Sequence, residues 1–196
     1  MRTFVVTAPD PVVSWSEIEK HLKLDGNTAE QALIEAWVAA ATAMIDGPGG
    51  WLGRAIGEQV LEARLDDFSG RIVLVSPPII SIDTIKYIDD AGAEQTVSSA
   101  IYELLGREVV LKPDASWPSP AARREAVRIR YSAGYHIDGS EQAPVIPAQL
   151  QTIKAAIMLM VGDLHRFRDT VTVGPANTVP MSTTVENLLY PLQVLI

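Results

Sequence analysis

The run PAQLQTIKAAIMLMVGDLHRFR, residues 147–168, constrains this chain more than any other stretch. Leu150, Ile153, Ile157, Met160, Val161 and Leu164 recur at helical spacing, which marks one buried face. Pro147 suits a first helical turn, where its missing N–H would have no partner anyway. About 20 residues at roughly 1.5 Å each make a rod of about 30 Å, the diameter of a small domain. Lys154 and Asp163 interrupt the apolar run, so it is too polar to span a bilayer. A rod with one apolar face needs a surface to cover it. The sequence offers one over a hundred residues upstream, at 28–46, where Leu33, Ile34, Trp37, Val38, Ala41 and Ile45 share a face.

The rest of the chain sorts around these two rods. Ser14-Trp15-Ser16-Glu17 reads as a capping box opening a short helix over about 15–23, and Asp25-Gly26-Asn27 is turn chemistry. Thr28 is placed to cap the next helix, with Gln31 as its return partner. Asp46-Gly47-Pro48-Gly49-Gly50 stops it. Between about 56 and 132 the hydrophobic period falls to two, and 60–65, 71–75, 82–88, 94–97, 102–105, 108–111 and 126–131 read as strands. Ser76-Pro77-Pro78 breaks this run, and Asp89-Asp90-Ala91-Gly92 and Gly106 turn it. The long helix follows at about 148–167. Residues 171–180 read as a mobile loop, and Ser182 starts a last helix over 183–189 that Pro191 ends. The expected class is α+β: one domain, 1–196, whose N- and C-terminal helices form a bundle carrying a central β-rich insertion.

Composition narrows the chemistry. With 47% apolar and 20% charged residues the chain has the makings of a folded protein. It has no cysteine, which removes disulfides, thiolate metal sites and thiol nucleophiles. The opening MRTFVVTAPDP has too short an apolar patch for a signal peptide, so synthesis in the cytoplasm is expected. A net charge of −8 opposes gripping of nucleic acid, though not enclosing it, since like charge repels phosphates at close range.

No catalytic, metal or cofactor site is expected. His21, His136 and His165 show no ligand spacing, and His165 beside Arg166 and Arg168 suits a helix C-terminus. The glycine run at 47–53 follows a helix and lacks the Lys-Ser/Thr of a phosphate loop. Asp66-Asp67 and Asp89-Asp90 lie in turns without a converging third ligand, and no Gly-x-Ser-x-Gly elbow is present. Trp37 belongs to a core face and Trp117 to loop packing. One basic patch stands out, Arg123-Arg124 with Arg128 and Arg130 at alternate strand positions. A solvated strand face and a contact with an acidic neighbouring subunit both suit it. The apolar tail, including Leu188, Leu189, Tyr190, Leu192, Val194, Leu195 and Ile196, must be tucked in or handed to a partner.

Several segments, in order, give the chain a family likeness. They are WSEIEKHLKLD (15–25), EQALIEAWVAAATAM (30–44), LGRAI (52–56), SPPIISIDTIKY (76–87) with 90–97, AVRIRYSAGY (126–135), and residues 147–165. Together these resemble the head–tail connector, or adaptor, proteins of long-tailed phages and gene transfer agents. The Gly-Pro-Gly-Gly insertion before Trp51 and the 171–180 loop depart from that pattern. The resemblance implies a structural virion protein, without enzymatic activity or cofactor, made in the host bacterial cytoplasm and placed in the neck. Copies, typically twelve, would form a ring between the portal and a stopper or tail-completion protein, extending the DNA channel without sequence-specific binding. It further implies that 181–196 docks on the portal, and that cutting after Pro180 leaves a folded chain that has lost the portal. A small cytoplasmic enzyme using His165, Asp163 and an acidic turn is the alternative, as is an assembly factor absent from the finished particle.

Overall fold

The computed structural model describes residues 1–9, 11–135, 147–167 and 181–194. Its elements in chain order are β1 (Arg2–Thr7), α1 (Trp15–Leu22), α2 (Gln31–Ile45), β2 (Gln59–Leu65), β3 (Arg71–Val73), β4 (Ile79–Ile88), β5 (Glu94–Thr96) and β6 (Tyr102–Leu105). Then come β7 (Glu108–Leu111), β8 (Val127–Ala133), α3 (Pro147–Arg166), α4 (Thr183–Leu189) and a 3-10 turn at Tyr190–Leu192.

Helical spacing builds the first core. Ile153, Ala156, Ile157, Met160 and Val161 of α3 are fully buried, against Ile34, Val38, Ala41 and Ile45 of α2. Ile18 of α1, Val185 and Leu189 of α4, and Leu192 of the 3-10 turn complete the cluster. The capping box of α1 forms as its residues dictate: Ser14 N donates to the Glu17 carboxylate at 2.9 Å, and Glu17 N donates back to Ser14 Oγ. Lys154 of α3 reaches the same carboxylate at 2.9 Å, tying α1 to α3.

Two helical details differ from the sequence reading. Asn27 Oδ1 accepts from Ala29 N, a local turn that displaces the expected Thr28 cap. The helix therefore starts at Gln31, its N-cap Glu30 makes no side-chain cap, and Gln31 donates to Glu35 instead. Leu33, placed on the apolar face by spacing, is 45% exposed. The last helix, α4, ends at Leu189 as read, and Pro191 lies in the 3-10 turn that follows it.

The strands form a second core. An antiparallel five-stranded sheet has the order β1-β2-β8-β4-β5, and a three-stranded sheet the order β3-β7-β6. Leu61, Ala63, Ile85, Val127, Ile129, Tyr131 and Ala133 of the larger sheet share this core with Ile72, Tyr102 and Val109 of the smaller. Tyr131 is buried with its hydroxyl donating to Val75 O at 3.0 Å, and burial pushes its phenol far above the usual range. Trp117 stacks on Phe68, ring centroids 4.7 Å apart, and its Nε1 donates to Ser69 O.

The mixed α and β class holds, with helices and antiparallel sheets. The expected division into terminal helices and a central β insertion does not describe the whole. β1 precedes every helix and pairs with β2, from Arg2 opposite Arg64 to Thr7 opposite Val60. Most of β1 is exposed, so it lacks the alternation by which a half-buried strand is read. Its place is fixed by backbone pairing instead.

A polar knot joins α2 to β2. Asp46, the residue after α2, accepts from Ile56 N at 2.8 Å and Gln59 Nε2 at 3.0 Å through Oδ1. Gly47, at φ +75°, starts the reversal, and its N–H donates to Arg54 O. Gly50 packs so closely beneath this turn that a Cβ there would collide with the backbone of Ile45 and Asp46. The sequence reading of the 47–50 run as a helix stop and tight turn is what the structure shows.

Candidate functional site

Among the described residues no cluster of three metal-binding side chains occurs, and no helix is long and apolar enough to cross a membrane. His165 Nε2 lies 3.9 Å from Glu30 Oε2, and its ring meets Trp37 edge-on at 6.2 Å. It thus packs from α3 against the start of α2, where Glu30 closes the turn that precedes the helix. His136 lies outside the described residues. Asp66 Oδ1 accepts from Glu125 N, and Asp89 accepts from Ala91 N and Ala93 N. Both are turn aspartates spent on the backbone.

Strand register gathers five of the chain's 16 lysines and arginines on one face of the larger sheet. Arg2 stands opposite Arg64, Arg64 opposite Arg128, and Arg128 opposite Lys86, a row across four strands. At about 4.8 Å per strand the row spans roughly 14 Å. Like charges directly opposite each other repel, so such a row requires counter-ions. Glu62 supplies one, accepting from Arg64 Nε at 2.8 Å and Arg130 Nη2 at 2.9 Å. Glu125 takes Arg64 Nη1 at 3.1 Å and Arg2 Nη1 at 3.4 Å. Glu94 takes Lys86 at 2.8 Å and lies 3.6 Å from Arg128. Burial alone would raise the Glu62 carboxyl, yet the bonds from Arg64 and Arg130 hold it below the usual range. Arg128 and Arg130 therefore belong to a lattice of five cations sharing three carboxylates. Arg123 and Arg124 sit apart from it, exposed in the turn before β8. Sequence spacing found Arg128 and Arg130; Arg2, Arg64 and Lys86 joined them only through register.

A groove of about 910 Å³ opens on the other side of β1, between its C-terminal end and α2. Its walls are mostly apolar, among them Val5, Pro9, Trp15, Val38, Ala39 and Ala43. Glu35 and Asp46 are its only charged lining residues among those described. Nothing in the sequence spacing marks it, because it arises where two distant segments meet.

The C-terminal segment divides. Leu189 and Leu192 are buried in the helical core, and Val194 N donates to Leu52 O at 2.8 Å. Gln193 Nε2 donates to Trp51 O. Leu188 is half-buried, Tyr190 is 71% exposed, and Leu195 and Ile196 lie outside the described residues. The tail is thus tucked in through Val194. Cutting after Pro180 would remove three core side chains, Val185, Leu189 and Leu192, so the expectation that such a chain stays folded is withdrawn.

Solved structures carry the same fold. The chain superposes on a chain of the neck of an empty gene transfer agent particle, computed with C6 symmetry, with a TM-score of 0.74 at 23% identity. On a chain of the native particle's virion the TM-score is 0.73 at 21% identity. On the native particle's neck computed with C12 symmetry it is 0.68 at 18% identity. Each likeness covers 100% of this chain and 97% of the other. No family model matches the chain, and no curated protein does.

Proposed function

We propose that this chain is a structural subunit of a particle neck, an adaptor that assembles into a ring between the portal and a stopper or tail-completion protein. The observation that carries the reading is the end-to-end likeness to chains of gene transfer agent particles, two of them described as necks, with neither protein left with a large unmatched part. Those necks were computed with sixfold and twelvefold symmetry, and a ring of twelve satisfies both. A ring built from one chain is a head-to-tail assembly, in which each copy offers two different surfaces. The net charge of −8 suits a wall along which DNA slides without sticking. The ring extends the DNA channel, reads no sequence, and performs no reaction.

In this assembly the helices form the body, with the sheets reaching toward neighbouring copies. Arg128 and Arg130, with Arg123 and Arg124 in the adjoining turn, belong to a subunit contact. The exposed Tyr190, with Leu188, Val194 and the final residues Leu195 and Ile196, faces the portal. The chain is made in the host cytoplasm and resides in the virion neck, in an infectious phage or a gene transfer agent.

Quantitative mass spectrometry of purified particles tests this. An adaptor remains in the finished particle at about the copy number of the portal. A chain absent from the particle is an assembly factor or an enzyme, and the proposal falls.

A further inference from the structure

Two surfaces of this molecule fit each other and cannot meet within one copy. The first is the groove beside α2. That helix is apolar around most of its girth: besides its buried face, Leu33 and Met44 are exposed, and Ala36, Ala39, Ala40 and Ala43 lie open. A helix of that composition belongs inside something larger than its own chain provides. The groove takes only the margin of this open side, through Ala39 and Ala43, together with Glu35, Val38 and Thr42, and its lining carries carboxylates but no cation among the described residues.

The second surface is the outward end of the cationic sheet face. Phe4 is 38% exposed, with the guanidinium carbons of Arg2 and Arg64 at 5.5 and 4.9 Å from its ring centroid. An apolar plug flanked by two cations matches an apolar slot walled by Glu35. The directions also match. Side chains alternate across a strand, and Phe4 pairs opposite Glu62 while Val5 pairs opposite buried Leu61. Phe4 and the groove-lining Val5 therefore point to opposite sides of β1. A head-to-tail ring contact uses two different patches on the same copy, and the two sides of β1 supply them.

We propose that the Phe4 ring of one copy, flanked by Arg2 and Arg64, seats in the groove between β1 and α2 of the next copy, with Arg2 against Glu35. The contact rests on the ring assembly proposed above and names the surfaces that close it. It also covers Ala39 and Ala43 of α2, and it gives the crowded cations of the sheet an additional counter-charge.

Because the chain has no cysteine, an introduced pair reports the contact without background. Phe4→Cys and Ala39→Cys both change exposed positions. Combined in one chain and oxidised within neck complexes, they give a ladder of disulfide-linked multimers on a non-reducing gel, while each single variant runs as a monomer. Rings that form normally but give no ladder overturn this contact and leave the ring intact as a proposal. If the unmodified chain forms no ring, both fall together. Charge exchange gives a second reading. Glu35→Arg or Arg2→Glu alone lowers ring recovery at least fivefold, and the two together restore it; no restoration overturns the pairing. A thiol-reactive photo-crosslinker carried by the Ala39→Cys variant should attach to residues around Phe4 of another copy. Attachment to a different particle protein overturns the assignment.

Discussion

Asp46 shows how much of this fold hangs on one acceptor. Its Oδ1 serves a backbone N–H and a side-chain amide from the segment leading into β2. Burial raises its carboxyl above the usual range, only partly offset by the bonds from Ile56 and Gln59. Asp46→Ala strands both donors and is expected to cost about 2–4 kcal/mol in urea unfolding. Asp46→Asn keeps an acceptor and stays within about 1 kcal/mol of the parent at acid pH. The sign of the pH effect follows from the raised carboxyl. Its favourable contribution is full below the unfolded value, about 3.9, and disappears as pH rises through the higher folded value. The Asn variant lacks that loss, so its stability relative to the parent improves as pH rises from about 4 through the raised folded value, and is level above it. A difference that stays flat with pH contradicts this account. The glycine run after Asp46 was readable as a helix stop. The acceptor role was not, because its partners lie ten and thirteen residues further on.

At the scale of elements, regular spacing told most where burial is one-sided. The face of α3 follows its 3.6-residue period, and β8 alternates buried and open positions as AVRIRY implies. The spacing in α2 picked out the buried Ile34, Val38, Ala41 and Ile45 but also took in Leu33, which is exposed, because apolar residues surround most of this helix and blur the edge of its face. β1 told nothing, being exposed along nearly its whole length. The expected 171–180 loop lies outside the described residues. The C-terminal elements carry the clearest test, because α4 and its 3-10 turn hold core and surface residues side by side. Leu189→Ala is expected to destabilise the chain by about 2–5 kcal/mol, as for any emptied core site. Tyr190→Ala should leave stability within about 0.5 kcal/mol, as surface changes do. If this end meets the portal, the Tyr190 variant stays folded and co-sediments with portal several-fold less. A folded Tyr190 variant with unchanged portal binding removes that residue from the docking surface.

At the scale of the whole molecule, one face of the larger sheet gathers five of the chain's 16 lysines and arginines around Glu62, Glu94 and Glu125, while the chain as a whole carries −8. Composition alone gave the net charge; only strand register showed where the positive share went. Such a cationic face suits one of the two different surfaces that a head-to-tail ring requires of each copy. The most direct measurement is an electron cryomicroscopy map of the neck from particles that contain this chain. The account predicts a closed ring of this fold between portal and tail, with β1 of each copy against α2 of the next. Neck density that this fold does not fit, or copies bound singly with no contact between them, would contradict it.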